Sequence, residues 1–524
     1  MGNSNRGAGL VTLLNCSLIG NAITGGMGGG GANGCVLTNC LLSDNSSRYE
    51  GGGASDCLLS GSIVSNNLAY YYGGGVAGCT LYDCTLTGNS TQNIFGGGGG
   101  ASSSTLNHCL ITNNSAPYAD GGGCLGGSLT NCTLINNSAR FGGGASRAML
   151  SNCILSGNSA AENGGGAENS TLISCTVTNN GALFGGGVYL CQATNCIIKG
   201  NIASAGGGGA YLGTLRSCIL LSNVADFGGG ASEAVMSRCA ILTNSAYSKG
   251  GGIANGGLDS CILLGNTSTA GGGAALYDEN HCKLNNCTLV GNYATNMGGG
   301  AFDGTLNNCI VYYNNSPTDP NLSNVTNVYY CCTAPLPSFG GGNITNVPSF
   351  VDLAAGNFDL QTNSLLINAG SNSYVTNNFD FLGRSRISGG VVDIGAYEFQ
   401  YQSLDAFHAW LQGYGLSTDG SADYLDSDGD GMNNWQEWIA GTIPTNAASV
   451  LRIEKTMASS PGASITVVWQ STTNRNYFVQ RSMNLSPAAF VTIQTNISGV
   501  SGTMTFTDTN PSAGRAYYRI GVHQ

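Results

Sequence analysis

Charge is what this chain has least of. Only 9% of its 524 residues are Asp, Glu, Lys or Arg, against about a quarter in ordinary globular domains, so solubility must rest on Asn, Ser and Thr. No segment is basic enough to track a phosphate backbone, which argues against nucleic acid as a partner. No run of about 20 apolar residues occurs, so no membrane-spanning helix is expected. Proline is scarce too, at 10 residues, while glycine reaches 84. A disordered glycine-rich linker would carry proline as well; glycine alone at this level signals a repeat. The net charge of −11 divides into −4 over residues 1–316, −4 over 317–400, −7 over 401–450 and +4 over 451–524.

What is abundant is one short phrase: Leu, two residues, Cys, one residue, an aliphatic, two residues, Asn, then a Gly triplet. Leu129 to Asn137 followed by Gly142-Gly143-Gly144-Ala145 is one copy. Aligned on Cys, fourteen copies run through Cys16, Cys40, Gly61 (in place of Cys), Cys84, Cys109, Cys132, Cys153, Cys175, Cys196, Cys218, Cys239, Cys261, Cys287 and Cys309. The 293 residues from Cys16 to Cys309, over 13 steps, give a mean period near 22.5, which is a solenoid period. Cys and the aliphatic two residues later (Leu18, Leu42, Ile63 and onward to Val311) share one strand face. Asn stands five residues after every ladder position, from Asn21 to Asn314, and Leu three before it except at Ala193 and Met236.

Such a period is too short for a crossover helix but enough for two or three short strands. The expected fold is therefore all-β: a parallel β-helix of about 14 coils, right-handed because parallel crossovers are, and ~60 Å long at ~4.8 Å per coil. Equal positions stack, so buried Asn amides can donate and accept along the stack. The Gly triplets suit a thin wall or tight corner. Of the 21 cysteines, thirteen fall on the ladder, where buried thiols are preferred over a few disulfides or a metal site. Cys35, Cys79, Cys191 and Cys282, each five residues before a ladder Cys, and the adjacent Cys331 and Cys332 are the best bridge candidates.

The repeat over residues 7 to about 330 resembles the Gly-Gly-Ala and Asn repeats of polymorphic outer-membrane autotransporter adhesins and, more broadly, the pectate-lyase-like β-helix superfamily. That resemblance implies a secreted or cell-surface protein, and covers adhesins, scaffolds, lyases and hydrolases alike. Met1-Gly2 has Arg6 where a myristoylation signal wants Ser or Thr, and the repeat is under way by Leu10, so coils and a secretion signal are expected upstream of Met1. Nothing points to self-association, and a monomer is expected.

After the repeat, Pro317, Pro320, Pro335 and Pro337 break the period. Pro348 to Asp352, Asn357 to Leu360, Ser364 to Gly370, Asp380 to Arg384 and Val392 to Glu398 resemble the choice-of-anchor segment that follows many secreted β-helices. They imply irregular final coils covering the open end, with Asp380, Arg384, Asp393 and Glu398 as an ion-paired cap. Next, Leu404, Phe407, Leu411 and Tyr414 have helical spacing, with Ser403 as cap.

Asp426 to Glu437 then meets the loop pattern of an EF-hand, with Asp at positions 1, 3 and 5, Gly at 6, Asn at 9 and Glu at 12. Ca2+ would take oxygens from Asp426, Asp428, Asp430, the Met432 carbonyl, Asn434 and Glu437. The unit resembles dockerin-like and thrombospondin type 3 loops, departing from them at Asn433, where an aliphatic is common, and at Ile443. A helix from Trp435 to Ala440 should end at Gly441. Five β-rich runs between residues 464 and 522 suggest a small sandwich resembling fibronectin type III modules, in which Tyr517, Tyr518 and Arg519 either pack or meet sugar. The expected domains are 1–330, 331–400, 401–450 and 451–524.

Enzymes on this fold need acids converging on one face. Counted from the ladder, Asp56, Asp83, Asp259, Glu168, Glu233 and Asp303 never share a register in adjacent coils. The nearest cluster is Arg140, Arg147, Glu162 and Glu168. Glu168, Arg147 and Asp380 are the catalytic candidates, but a non-catalytic β-helix with a structural Ca2+ site is the preferred expectation. The alternative is a polysaccharide lyase or glycoside hydrolase, with extracellular polysaccharide or a cell-surface component as partner either way.

Overall fold

The computed structural model describes residues 11–25, 28–276, 283–459, 464–483, 490–509, 511 and 516–523, with the side chains of 401–403 and 523 set aside. Its contacts divide the chain into two units, Met1–Pro348 with Leu365–Glu398, and Ser349–Ser364 with Phe399–Gln524.

In the first unit each coil supplies short strands to three parallel sheets. One coil reads Ala145–Ser146 and Met149–Ser151, then Ile154–Ser156, then Ser159–Asn163. The first pair joins a 27-stranded sheet, the next strand a 15-stranded sheet and the last a 13-stranded sheet. Successive coils stack in register, Leu134 on Leu155 on Val177. The expected parallel β-helix of about 14 turns is present. Leu at −3, Cys and the +2 aliphatic all point inward and form one continuous buried core.

The register differs from expectation at one coil. Leu42, Val64 and Leu86 are paired neighbours, so Ser62, not Gly61, holds the ladder position, with Leu59 and Asn67 as its partners. Val64 is fully buried while Ile63 is 48% exposed, because a one-residue slip sends every side chain to the opposite face. Ser62 substitutes for Cys chemically: its Oγ accepts the Cys40 N–H at 3.0 Å and donates to the Ser60 carbonyl at 3.0 Å. The ladder also runs one coil further than expected, to Cys331, whose Sγ accepts the Cys309 N–H at 3.3 Å.

All twenty described cysteines are free thiols; Cys282 lies outside the described residues. The bridge candidates do other work. Cys35 N–H donates to Cys57 Sγ at 3.2 Å, Cys57 N–H to Cys79 Sγ at 3.3 Å, and Cys79 N–H to Ser104 Oγ at 3.1 Å, a short second ladder of acceptors. Burial pushes the Cys124, Cys191 and Cys332 thiols up to about 12, so they remain neutral.

The asparagine ladder runs from Asn21 to Asn314 and ends on Asn321. Each Nδ2 donates to the next Oδ1 at 2.9–3.1 Å. Asn180 shows the full pattern: its Oδ1 accepts both the Asn158 N–H and Asn158 Nδ2, and its Nδ2 donates to Asn201 Oδ1 and to the Leu155 carbonyl. All four hydrogen-bonding positions of the amide are used. Asn321 closes the row by donating to the Ala334 carbonyl at 2.8 Å.

The Gly triplets form the corner beneath this ladder. Gly142 has φ +61°, and a Cβ on Gly143 or Gly144 would stand 2.3–2.5 Å from the carbonyl oxygens of Ser159 or Gly166. Both expected reasons for glycine therefore apply, at successive residues: positive φ first, then no room.

Residues 365–398 lie along the flank of the last coils rather than closing the open end. Gly395 N–H donates to the Asn308 carbonyl, Ala396 N–H to Thr288 Oγ1, Ser371 N–H to Asn308 Oδ1 and Thr376 to Asp259. Phe379 sits under the Arg238 guanidinium. Ile394 and Val392 are buried there, so the segment covers apolar side wall.

In the second unit, helix α1 spans Tyr401–Gly413 with Gln400 as its N-cap, three residues before the expected Ser403 and without a side-chain cap. Phe407 and Leu411 bury against Trp435 and Trp438 of helix α2, Asn434–Ala440. The described residues of the C-terminal region form six strands, one more than expected, in two antiparallel sheets. Ile465–Ser471 lies between Ile453–Ala458 and Gly502–Asp508, and Asn476–Ser482 between Val491–Ser498 and Tyr517–His523. Val467, Trp469, Tyr477 and Val479 form the core that the two sheets share.

Candidate metal centre

Residues 426–437 make a tight loop that ends in α2. Asp426 organises it: Oδ1 accepts the N–H groups of Gly429 (2.8 Å) and Asp430 (3.1 Å), and Oδ2 that of Gly431 (2.9 Å). Gly429 and Gly431 take φ +79° and +96°, conformations closed to most L side chains. Asp428 Oδ1 accepts Asp430 N–H and Asp430 Oδ1 accepts Met432 N–H. These bonds leave the second oxygens of Asp428 and Asp430 turned inward.

Helix α2 supplies the other wall. Asn433 is its N-cap: the side chain accepts the Gln436 N–H and Gln436 Oε1 accepts the Asn433 N–H, a complete capping box. That accounts for the Asn at this position. One residue on, Asn434 donates Nδ2 to the Ala422 carbonyl and Ser427 Oγ, which fixes its Oδ1 toward the loop. At the C-terminus, Gly441 takes φ +76°, and Arg475 donates to the carbonyls of Ile439 and Trp438, placing a cation at the negative end of the helix dipole.

Asp428 Oδ2, Asp430 Oδ2, Asn434 Oδ1 and Glu437 Oε2 are all buried and lack a hydrogen-bond partner. Native proteins leave few such groups, and each asks for a reason. Ligand oxygens of Asp426, Asp428 and Asp430 lie within 4.8 Å of one another. Burial, reinforced by Asp428 and Asp430, pushes the Glu437 carboxyl up to about 7. Like charges and orphaned acceptors in one small volume fit a cation, and the Asp triad could hold a metal ion. The three Asp ligands expected from sequence lie together in this arrangement.

Searches found no family model that matches the chain and no matching curated protein. Among solved structures it is similar to pectate lyase Pel9A (12% identity, TM-score 0.27, 74% of this chain and 97% of that one). It is also similar to the Azotobacter vinelandii mannuronan C-5 epimerase AlgE4 A-module (10%, 0.21, 59% and 90%) and to the PL6 family alginate lyase AlyGC (9%, 0.24, 63% and 52%). No activity carries across at these values.

The other candidate residues are spoken for locally. Arg147 pairs with Asp120 at 2.7 Å, not with Glu168, which instead accepts Ser146 Oγ at 2.9 Å. Arg140 pairs with Glu162 at 2.8 Å. Asp120 was not foreseen because it precedes a Gly triplet while Arg147 and Glu168 follow one, and counting along a single strand cannot see across that corner. Burial raises the carboxyls of both Asp120 and Glu168. Asp380 is buried, with Oδ1 on the Arg384 N–H and Oδ2 on the Arg384 guanidinium and the Glu398 N–H. Glu398 pairs in turn with buried Arg386 at 3.2 Å, a partner that sequence reasoning passed over. Tyr518 donates to Asp508 and Arg519 to Gln480.

Proposed function

We propose that this is a secreted or cell-surface β-helical scaffold or adhesin, non-catalytic, whose C-terminal unit is ordered by calcium. The observation that carries the reading is the set of four buried, partnerless oxygens in the 426–437 loop, two of them on the Asp triad whose ligand oxygens lie within 4.8 Å of one another. Calcium takes six to eight hard oxygens, and EF-type loops work over a wide affinity range, including the millimolar affinities of extracellular modules. Asp426, Asp428, Asp430, Asn434 and Glu437 would hold the ion, with the Met432 carbonyl, and bound calcium supplies the positive charge that this −7 segment lacks. The protein's own residues do the rest: Asp426 shapes the loop through backbone N–H groups, Asn433 starts the helix and Asn434 is aimed by Ala422 and Ser427.

The non-catalytic part rests on dispersal. Asp120 and Glu162 of the coils pair with arginines, Glu168 and Glu233 accept from Ser146 and Tyr211, and the acids of the 380–398 segment are consumed by arginines and backbone. An extracellular polysaccharide or a cell-surface component is the partner proposed. Calorimetric titration of the full chain is the test: calcium should bind with one site per chain, and Asp428→Ala and Glu437→Ala should abolish the heat. Binding unchanged in both variants would refute the calcium reading. Cleavage of pectins, alginates or glycosaminoglycans that disappears in Glu168→Gln would refute the non-catalytic one.

A further inference from the structure

One row of the 15-stranded sheet changes character along the solenoid. It is the outward position next to each ladder residue: Ile63, Thr85, Leu110, Thr133, Ile154, Thr176, Ile197, Ile219, Ala240, Ile262, Thr288 and Ile310, paired in register from coil to coil. At Ile262, Thr288 and Ile310 it is 0–4% exposed, and the 392–397 segment lies over the latter two; a Cβ on Gly395 would stand 2.6 Å from Ile310 Cδ1. In the earlier coils the same row is bare: Ile63, Leu110, Ile154, Ile197 and Ile219 are 37–48% exposed. The bare stretch, seven coil steps or ~34 Å long, continues a surface that this protein already buries elsewhere. Contiguous exposed apolar surface of this kind marks an interaction site.

We infer that a second copy of this chain covers the bare stretch, the two solenoids packing antiparallel about a two-fold axis at Ile154. A two-fold interface must be self-complementary, and about Ile154 this row is so for two coils on each side. With the axis at Ile154, that residue meets its own copy, Thr133 faces Thr176, and Leu110 faces Ile197. The alternation alone fits an axis at Thr133 over three coils on each side, with Leu110 facing Ile154, Thr85 facing Thr176 and Ile63 facing Ile197, but the charges choose Ile154. Asp83, one residue before its ladder position, lies in the coil that an Ile154 axis sets against the coil of Arg216, two residues before its own. Neither forms an ion pair within the described part of its own chain. The axis runs along the strand direction, so it preserves lateral position and brings each Asp83 to the Arg216 of the other copy, twice per dimer. A stripe three residues wide is a small interface, so the dimer should be weak. It departs from the monomer expected from sequence and does not depend on the calcium reading.

Sedimentation of the full chain, with calcium present throughout, tests this. A reversible monomer–dimer equilibrium is expected in the range up to about 300 µM. Ile154→Lys sets two ammonium groups against each other and should weaken the dimer on the order of 100-fold, with circular dichroism and melting unchanged. Asp83→Arg should weaken it about 10-fold, and adding Arg216→Asp to the same chain should restore it. The last pair decides the matter even if Ile154→Lys misfolds. A monomer at every concentration, a dimer indifferent to Ile154→Lys, or a double charge swap no better than Asp83→Arg alone would each overturn the proposal.

Discussion

The asparagine ladder and the 426–437 loop are both rows of buried oxygen and nitrogen, and they solve the same problem in opposite ways. In the ladder every amide both donates and accepts, so each coil satisfies the one before it and no ion is needed. In the loop the carboxylates can only accept, and four oxygens, three of theirs and one of Asn434, stay without a donor. A neutral, bifunctional side chain closes on itself; an anionic, acceptor-only one must be completed from outside. The low charge of the chain follows from the first solution, and the acidity of residues 401–450 from the second.

Breaking the ladder should cost most. Asn180→Leu strips an acceptor from Asn158 Nδ2 and from the Asn158 N–H, and a donor from the Leu155 carbonyl. At about 1–3 kcal/mol per unsatisfied group, chemical denaturation should show a loss of several kcal/mol. Asn296→Leu, at an exposed strand position, should stay within about 0.5 kcal/mol. Equal losses at both sites would mean that the ladder's internal bonding contributes nothing.

Completing the loop should matter next. At a calcium concentration 100 times Kd, the native state gains about 2.7 kcal/mol, and the melting of the 399–524 region should rise accordingly. The ladder should not respond, and Glu437→Ala should remove the shift.

The smallest effect sharpens the contrast by pH. Burial first, and Asp393 second, push Glu398 up to about 8, from an ordinary value of 4.5. A carboxyl raised in the folded state contributes its stability fully below pH 4.5 and loses it as pH climbs through 8, because the unfolded chain ionises first. Arg386 opposes the shift, so the slope should be no more than ~1 kcal/mol per pH unit across that window. Hydrogen exchange of the 378–398 peptide, corrected for intrinsic rate, should loosen from pH 5 to pH 8, and Glu398→Gln should flatten the trend. Peptides carrying the neutral ladder should not change.

What could be read in advance follows from periodicity and its limits. The Leu, Cys, aliphatic and Asn positions recur so regularly that coil, core and ladder were legible, and the Asp triad was legible because Asp426, Asp428 and Asp430 stand on alternate residues of one loop. The slip at Ser62 arose because Leu58-Leu59, Ile63-Val64 and Asn66-Asn67 offer two registers equally. Spacing decides between them, since Cys40 to Ser62 and Ser62 to Cys84 are both 22 residues, whereas Gly61 splits the interval unevenly. Other features depend on contacts that no local pattern encodes. Asp120 meets Arg147 across a glycine corner, the 365–398 segment folds back over coils some hundred residues earlier, and the bare Ile–Thr row looks like core until its burial is known.

The ladder also has a direction. Each Nδ2 points toward the following coil and each Oδ1 toward the preceding one, so the amide dipoles add head to tail from Asn21 to Asn321, in the way that peptide dipoles add along a helix. The solenoid is thus an electrically polarised rod. A coil spliced in with the opposite sense would set carbonyl against carbonyl, so the array can be lengthened only in one sense. Two such rods laid side by side prefer opposite polarity, in agreement with an antiparallel pair.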